Sequence, residues 1–291
     1  MELRQIEYFL AVVEHGGIGG ASAALGVTQP TVSQALRALE RELGVPLFHR
    51  IGRGMVPSSA GRALVGSSRQ IMRDIAAVDD ALSAEGGELT GRVDVLASPF
   101  VSGGVVTDLI TTFRTENPSA TVRLGELREE SQAMTMLEEG RCEFVITHLP
   151  TVGDDLDVVV LGEQEFWLVY PPGTDLPPGP VGLADLPLIP MIIVPRGGSV
   201  AEEIASAIRE AGVRFPLAVV SDHREERIPM VLAGIGGTLA ERRVAEAVAD
   251  RAVVRPVNPR FARTFALVFD PGTLSLAGQA FADIARRVTT D

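Results

Sequence analysis

The sequence predicts a chain of three parts: an all-α N-terminal module carrying a short hairpin, one long helix, and an α/β region of about two hundred residues. Three observations predict it. Apolar residues recur at helical spacing through the first forty-odd positions. Residues 58–85 hold no proline and repeat apolar residues at alternating spacings of four and three. From Gly91 onward, short apolar strands alternate with helices.

The first helix is "LRQIEYFLAVVEHG", where Leu3, Ile6, Phe9, Leu10 and Val13 share a face and a glycine pair ends the run. "GGASAALGV" then predicts a short helix closed by Gly26. The third, "VTQPTVSQALRALEREL", can be capped by Thr28 and holds Pro30 in its first turn, where a missing N–H costs little. Val32, Leu36, Leu39 and Leu43 form its buried stripe, opposite Gln29, Ser33, Gln34, Arg37 and Arg41. Two helices joined by a glycine-containing turn, the second polar and basic outward, have the form of a helix-turn-helix. In "GVPLFHRIGRGMVPSSAG", Val45, Leu47 and Phe48 can anchor two strands around a basic tip containing Arg50 and Arg53. That hairpin reads as a wing, with Arg53 placed for a minor groove or phosphate.

In the connector, Leu64, Ser68, Ile71, Ile75, Val78 and Leu82 make a coiled-coil seam with one polar layer at Ser68. "EGGELTG" ends it. Beyond, "RVDVLA", "TVRLGEL" and "EFVIT" predict parallel strands covered on both faces. "ASPFVSGG" and "VPRGGSV" each end a strand and open a helix, where free N–H groups favour an anion. Ser98, Ser102 and Ser199, with Arg196 for a carboxylate and His148 beside them, are the candidate ligand residues; Glu126 and His223 lie near other strand ends.

Composition bounds the function. The 291 residues carry a net charge of -12, and every one of the 26 basic residues is arginine. Residues 1–73 hold eight arginines against five acids, a net +3, leaving 18 arginines against 33 acids behind them, a net -15. Only the head can approach a polyanion. With Cys142 as the one cysteine, no internal disulfide framework or ordinary zinc site is expected. No run of eighteen apolar residues and no charged-then-apolar leader is present, so no membrane contact is expected and the cytoplasm is the expected compartment. The four histidines are far apart, and HExxH, GxSxG and Walker signatures are absent, so no catalytic residue, metal or cofactor is expected. "AGIGGTLA" matches a dinucleotide loop only loosely.

The run from "LRQIEYFLAVVEHG" through "AALGVTQPTVSQALRALERELGVPLFHR" to "SSAGRAL" closely resembles the N-terminal module of LysR-type transcriptional regulators. The resemblance implies a DNA-binding winged helix-turn-helix over 1–58, a dimerising linker helix over 59–89, and an effector-binding domain over 90–291 shaped like a periplasmic binding protein. Its first subdomain would span 90–162 and 264–291, and its second 163–263. By position, Thr28, Gln29, Pro30, Ser33, Gln34 and Arg37 would face the groove, with Arg50 and Arg53 in the wing. The implied partners are double-stranded operator DNA, a small-molecule effector, further copies of the chain in a homodimer or homotetramer, and RNA polymerase. The runner-up is a small-molecule sensor whose head binds DNA non-specifically or not at all.

Two departures stand out. The family usually places a serine or threonine and an aromatic near the start of the second helix, where this chain has Gly16, Gly17, Ile18, Gly19 and Gly20. Each interior glycine costs roughly 0.5–1 kcal/mol relative to alanine, so a loosened helix is expected. The usual Leu-Asp-Leu near the end of the third strand of the effector domain is here Cys142, Glu143 and Phe144, so that edge is expected to differ.

Overall fold

The computed structural model describes residues 1–52, 54–83, 88–99, 101, 104–150, 156–193, 206, 208–210, 212, 214–221 and 223–288; of residues 77 and 79–83 it describes the backbone alone. Three helices, α1 (Leu3–His15), α2 (Ile18–Leu25) and α3 (Gln29–Leu43), open the chain. Each stops at a glycine in the left-handed region, Gly16, Gly26 and Gly44. Thr28 caps α3 by accepting from the Thr31 N–H at 3.3 Å. Ile6, Phe9, Val12, Ala21, Val32, Leu36 and Leu39 meet in one core with Leu47 and Phe48. Leu3 and Leu43, at the outer ends of their stripes, are exposed instead.

The hairpin of β1 (Phe48–Ile51) and β2 (Gly54–Pro57) pairs Phe48 with Pro57 and Ile51 with Gly54. The Met55 N–H donates to Gly16 O at 2.9 Å, tying the wing to the α1–α2 turn. Ser58 then anchors the long helix α4 (Ser59–Ser83): its hydroxyl donates to Pro46 O and accepts the Gly61 N–H. Of the seam, Leu64 and Ile71 are half-buried against the three-helix core, Ile75 is half-buried, and Val78 is exposed. Ser68 is fully buried within its own chain, so it does not form a polar layer on an open seam. The Leu82 side chain lies outside the described residues.

The remaining chain builds an eight-stranded sheet. Its strands are β3 (Arg92–Ala97), β4 (Thr121–Glu126), β5 (Phe144–His148), β6 (Asp157–Tyr170), β7 (Val181–Gly182), β10 (Thr238–Glu241), β11 (Val253–Asn258) and β12 (Ala262–Phe269), in the order β4-β3-β5-β12-β6-β11-β7, with β10 also on β6. A separate parallel pair is β8 (Met191–Ile193) with β9 (Leu217–Val220). As expected, β4, β3 and β5 form a parallel set, and β7 lies parallel to β11. β12 runs antiparallel to both β5 and β6, and β6 antiparallel to β10 and β11. The reason is connectivity: β6 leaves the first half of the sheet for the second and β12 returns, so the two crossing strands point in opposite directions. The crossing is marked by Gly162 at φ 150 and by a register shift between Phe265 and Ala266.

Helices α5 (Val105–Glu116) and α9 (Leu276–Val288) cover the first half, burying Val106, Leu109, Phe113, Phe281 and Ile284 against Val93, Val95, Phe144 and Leu267. Phe113, Phe144, Phe269 and Phe281 meet in tilted and edge-to-face contacts with ring centroids 5.1–5.3 Å apart. The small helix α6 (Ala133–Glu138) lies on the other face over Leu127, Cys142 and Val145. In the second half α7 (Arg227–Leu232) and α8 (Arg242–Glu246) pack on β6 through Val231, Ala245 and Val169. The glycines of "AGIGGTLA" are packing residues: a methyl at Gly236 would strike Pro190 O, and one at Gly237 would enter the Tyr170 ring.

Cys142, Glu143 and Phe144 fall at the start of β5, not at its end. Glu143 is fully buried and accepts the Ser275 N–H at 2.7 Å, just ahead of α9.

Candidate DNA interface and effector cleft

At the recognition helix, burial separates the two faces cleanly. Val32, Leu36 and Leu39 are buried, whereas Thr28, Gln29, Pro30, Gln34 and Arg37 are exposed and Ser33 is half-exposed. Arg37 is held along the helix, its Nη2 donating to Ser33 Oγ at 2.7 Å and its Nε to Ser33 O at 3.2 Å. This leaves the amides of Gln29 and Gln34 on an open face at the N-terminal end of α3, the arrangement in which side chains reach base edges. Arg50 is exposed on β1; Arg53 lies outside the described residues.

The expected looseness of α2 has a different explanation in the structure. No side chain caps it, but a Cβ at Gly20 would stand 2.8 Å from His15 Cβ and 2.9 Å from His15 O. The glycine is what lets α2 close on the end of α1.

In the effector domain the carboxyl ends of β3 and β5 meet the crossing strands. Ser98, 1% exposed, follows β3 and donates from its hydroxyl to Glu130 Oε1 at 3.3 Å. The same oxygen is 2.7 Å from His148 Nδ1, and His148 Nε2 is 2.8 Å from Gln164 Oε1 on β6. Arg263, from β12, places Nη1 3.5 Å from Glu130 Oε2 and donates from Nη2 to Leu149 O at 3.0 Å. Ser98 and His148 are thus brought together as expected, but through Glu130. His148 is 2% exposed, with each ring nitrogen within hydrogen-bond distance of a side chain of its own chain.

Further cations come from the second half. Arg227 Nη2 is 3.3 Å from Glu241 Oε2. Burial pushes the Arg224 guanidinium down to about 10, against the opposing pull of Glu241, Glu126 and Glu130. The Arg243 guanidinium lies directly over Gly104, at the N-terminus of α5, so that a methyl there would collide with it. Its side chain makes no hydrogen bond or ion pair among the described residues. Glu126 is exposed, and His223 is exposed 3.4 Å from Glu225. Ser102, Arg196 and Ser199 lie outside the described residues. The sequence reading missed Glu130, Gln164, Arg224, Arg243 and Arg263. Arg263 carried one usable signal, its place at the expected crossover; the others sit in no motif.

Among the described residues no group of His, Cys, Asp and Glu is arranged to hold a metal, and no helix is long and apolar enough to cross a membrane.

A winged helix-turn-helix, a long connecting helix and a two-part sheet domain together define a one-chain transcription regulator. The chain belongs to the LysR family: residues 3–62 match the bacterial regulatory helix-turn-helix protein, lysR family, and residues 86–290 match the LysR substrate binding domain. It is similar to the transcriptional regulator TcbR of Pseudomonas sp. (strain P51), 28% identical over 257 residues that cover 84% of each chain. It is also similar to the hydrogen peroxide-inducible genes activator of Escherichia coli O157:H7, 27% identical over 277 residues, 94% of this chain and 90% of the other. Among solved structures, a full-length OxyR variant from Pseudomonas aeruginosa has the same fold, with a TM-score of 0.73 at 21% identity over 98% of this chain and 95% of that one. The relatives are regulators, not enzymes. The chain is accordingly a DNA-binding transcription regulator with an effector-binding domain.

Proposed function

We propose that an anionic small molecule is the effector, seated between the two halves of the sheet domain and switching sequence-specific operator binding by the head. The observation that carries the reading is Arg243 against the start of α5. A guanidinium from one half faces the positive end of a 12-residue helix from the other, and an anion between them satisfies both. Ser98, Ser102, Arg196, Ser199 and His148 are the residues assigned from the sequence to the same proposed site. Closing the halves on such a ligand would alter the spacing of paired readers on DNA. The working division is 1–58, 59–89 and 90–291, with subdomain limits near 162 and 264. The functional unit is a cytoplasmic homodimer or homotetramer joined along Leu64, Ile71, Ile75, Val78 and Leu82, and RNA polymerase is a further partner.

Peroxide sensing through thiols fits this chain poorly. Its single cysteine, Cys142, is 2% exposed, and burial pushes its thiol up to about 12. Little thiolate is available to an oxidant.

Three measurements test the reading. A duplex selected from a random pool by the full-length chain should bind at least about 10³-fold more tightly than a scrambled duplex at physiological salt; equal affinity for both would return the runner-up. Gln34→Ala should cost about 1–3 kcal/mol on the selected duplex and leave scrambled binding unchanged. A thermal-shift screen of small carboxylates on the parent and on Arg243→Ala tests the cleft: a stabilising carboxylate that acts equally on both removes Arg243 from the site.

A further inference from the structure

A ligand in the cleft needs a route to the reader, and one short segment touches both. The 3-10 turn Glu130–Gln132 runs directly into α6, a rod of roughly 15 Å at helical rises. At its leading end stands Glu130, whose carboxylate gathers Ser98, His148 and Arg263 from three strand ends. At its trailing end two arginines of the connector helix α4 take hold. Arg69 Nη1 donates to Glu139 O and Arg73 Nη1 to Gly140 O, each at 2.8 Å. Both carbonyls lie just past Glu138, the last residue of α6, where a cation meets the negative end of the helix, and hydrogen bonds from a charged donor are stronger than neutral ones.

The junction is also tight. A methyl at Gly66 of α4 would collide with Glu138 O, and Gly140, at φ 59, would bring one within 3.1 Å of Gly66 O. Arg69 continues the path, its Nη2 lying 3.7 Å from Glu14 Oε1 on α1. Between its ends α6 rests on the sheet through Ala133, Met136 and Leu137, which pack over Leu127, Cys142 and Val145 in an apolar contact. Packed helices shift on such contacts by sliding.

We propose that α6 is the lever by which the state of the cleft reaches the DNA reader: Glu130 is its input, and the Glu139 and Gly140 carbonyls gripped by Arg69 and Arg73 are its output. The lever rests on the effector reading above only for what moves Glu130 in the cell.

The test is a double-mutant cycle on the full-length chain, with no effector added. Glu130→Gln keeps the side chain's size and removes its charge. It should raise amide hydrogen exchange in both 133–140 and 66–73, and shift affinity for the selected duplex by about fivefold or more. In an Arg69→Gln/Arg73→Gln background the same substitution should move affinity less than about twofold, because the output is disconnected. Ser98→Ala, which removes a single contact to the same carboxylate, provides a milder input if Glu130→Gln unfolds the domain. Exchange that rises around the cleft but not at 66–73, or an input effect of equal size in both backgrounds, would overturn the proposal. A carboxylate screen that finds no ligand leaves this cycle standing, and an additive cycle leaves the effector reading standing.

Discussion

Glu143 shows what a single position can impose. It is fully buried, one carboxylate oxygen accepts the Ser275 N–H, and the other has no hydrogen-bond partner among the described residues. Burial pushes its carboxyl above the ordinary range, with the Ser275 hydrogen bonds and Arg73 pulling the other way. The fold therefore holds the proton more tightly than the unfolded chain does. Its contribution to stability is fully present below the unfolded titration point and is lost as pH rises through the folded one. Glu143→Gln should unfold at the same temperature as the parent in acid and at a higher one at pH 8. The expected gain is roughly 2–4 °C for each kcal/mol recovered; a parallel pair of melting curves across pH would contradict this. The sequence flagged this position as a departure from its family but could not tell a buried cap from a switch. The same limit applied at the cleft. Ser98 and His148 could be named because they follow apolar strands, while Glu130 reaches them from "REESQ", whose composition suggests only a solvated turn.

At the scale of elements, the helices of the head were legible because caps, glycine stops and apolar spacing agree in each of them. What composition could not show was distance between helices. Gly20 reads as a helix weakener in isolation, and in place it is the point where α2 meets His15. Gly20→Ala should therefore destabilise the head by about 1–3 kcal/mol through overpacking. The ordinary helix gain of about 0.5–1 kcal/mol is too small to offset it. Denaturant unfolding of the full-length chain, followed at the helical signal, is the check, and a stabilised variant would mean that α1 and α2 have room to spare. The sheet was legible only in part for a related reason. Short apolar runs identify strands but carry no direction, so the antiparallel β6–β12 pair was invisible until the chain's return path was known.

For the whole molecule, the arginine-rich head and acidic body divide the labour. The +3 over residues 1–73 confines contact with a polyanion to the reader, and the -15 behind it holds the body off. A cavity of about 1100 Å³ separates the two, walled by α1 and α2 on one side and by β3 and β4 on the other, with Arg69 and Arg73 on its floor. Head and body thus touch through a few directed contacts around open space, which suits parts that must move relative to one another. The connector's outer half bears on the proposed subunit contact. Val78 is 57% exposed on α4, beyond the point where that helix leans on the head. Val78→Glu should lower the oligomeric state in sedimentation at micromolar concentration and leave the monomer's melting temperature within about 1–2 °C, since exposed substitutions cost little. An unchanged assembly would place the subunit contact elsewhere.

The antiparallel pair β6 and β12 has a last consequence, one for descent and engineering more than for mechanism. The chain enters the second half of the sheet domain along one strand and leaves along its immediate neighbour, with Arg263 paired to Gln164 and Ala262 to Glu165. Everything between them is an insertion whose two ends lie about 5 Å apart. Such a piece can be exchanged for another of different specificity without rerouting the host. Glu130 and α6 lie outside it, so a new ligand preference could be grafted in while the lever and the reader stay, provided that Gln164 and Arg263 at its two ends, which hold His148 and Glu130, are kept.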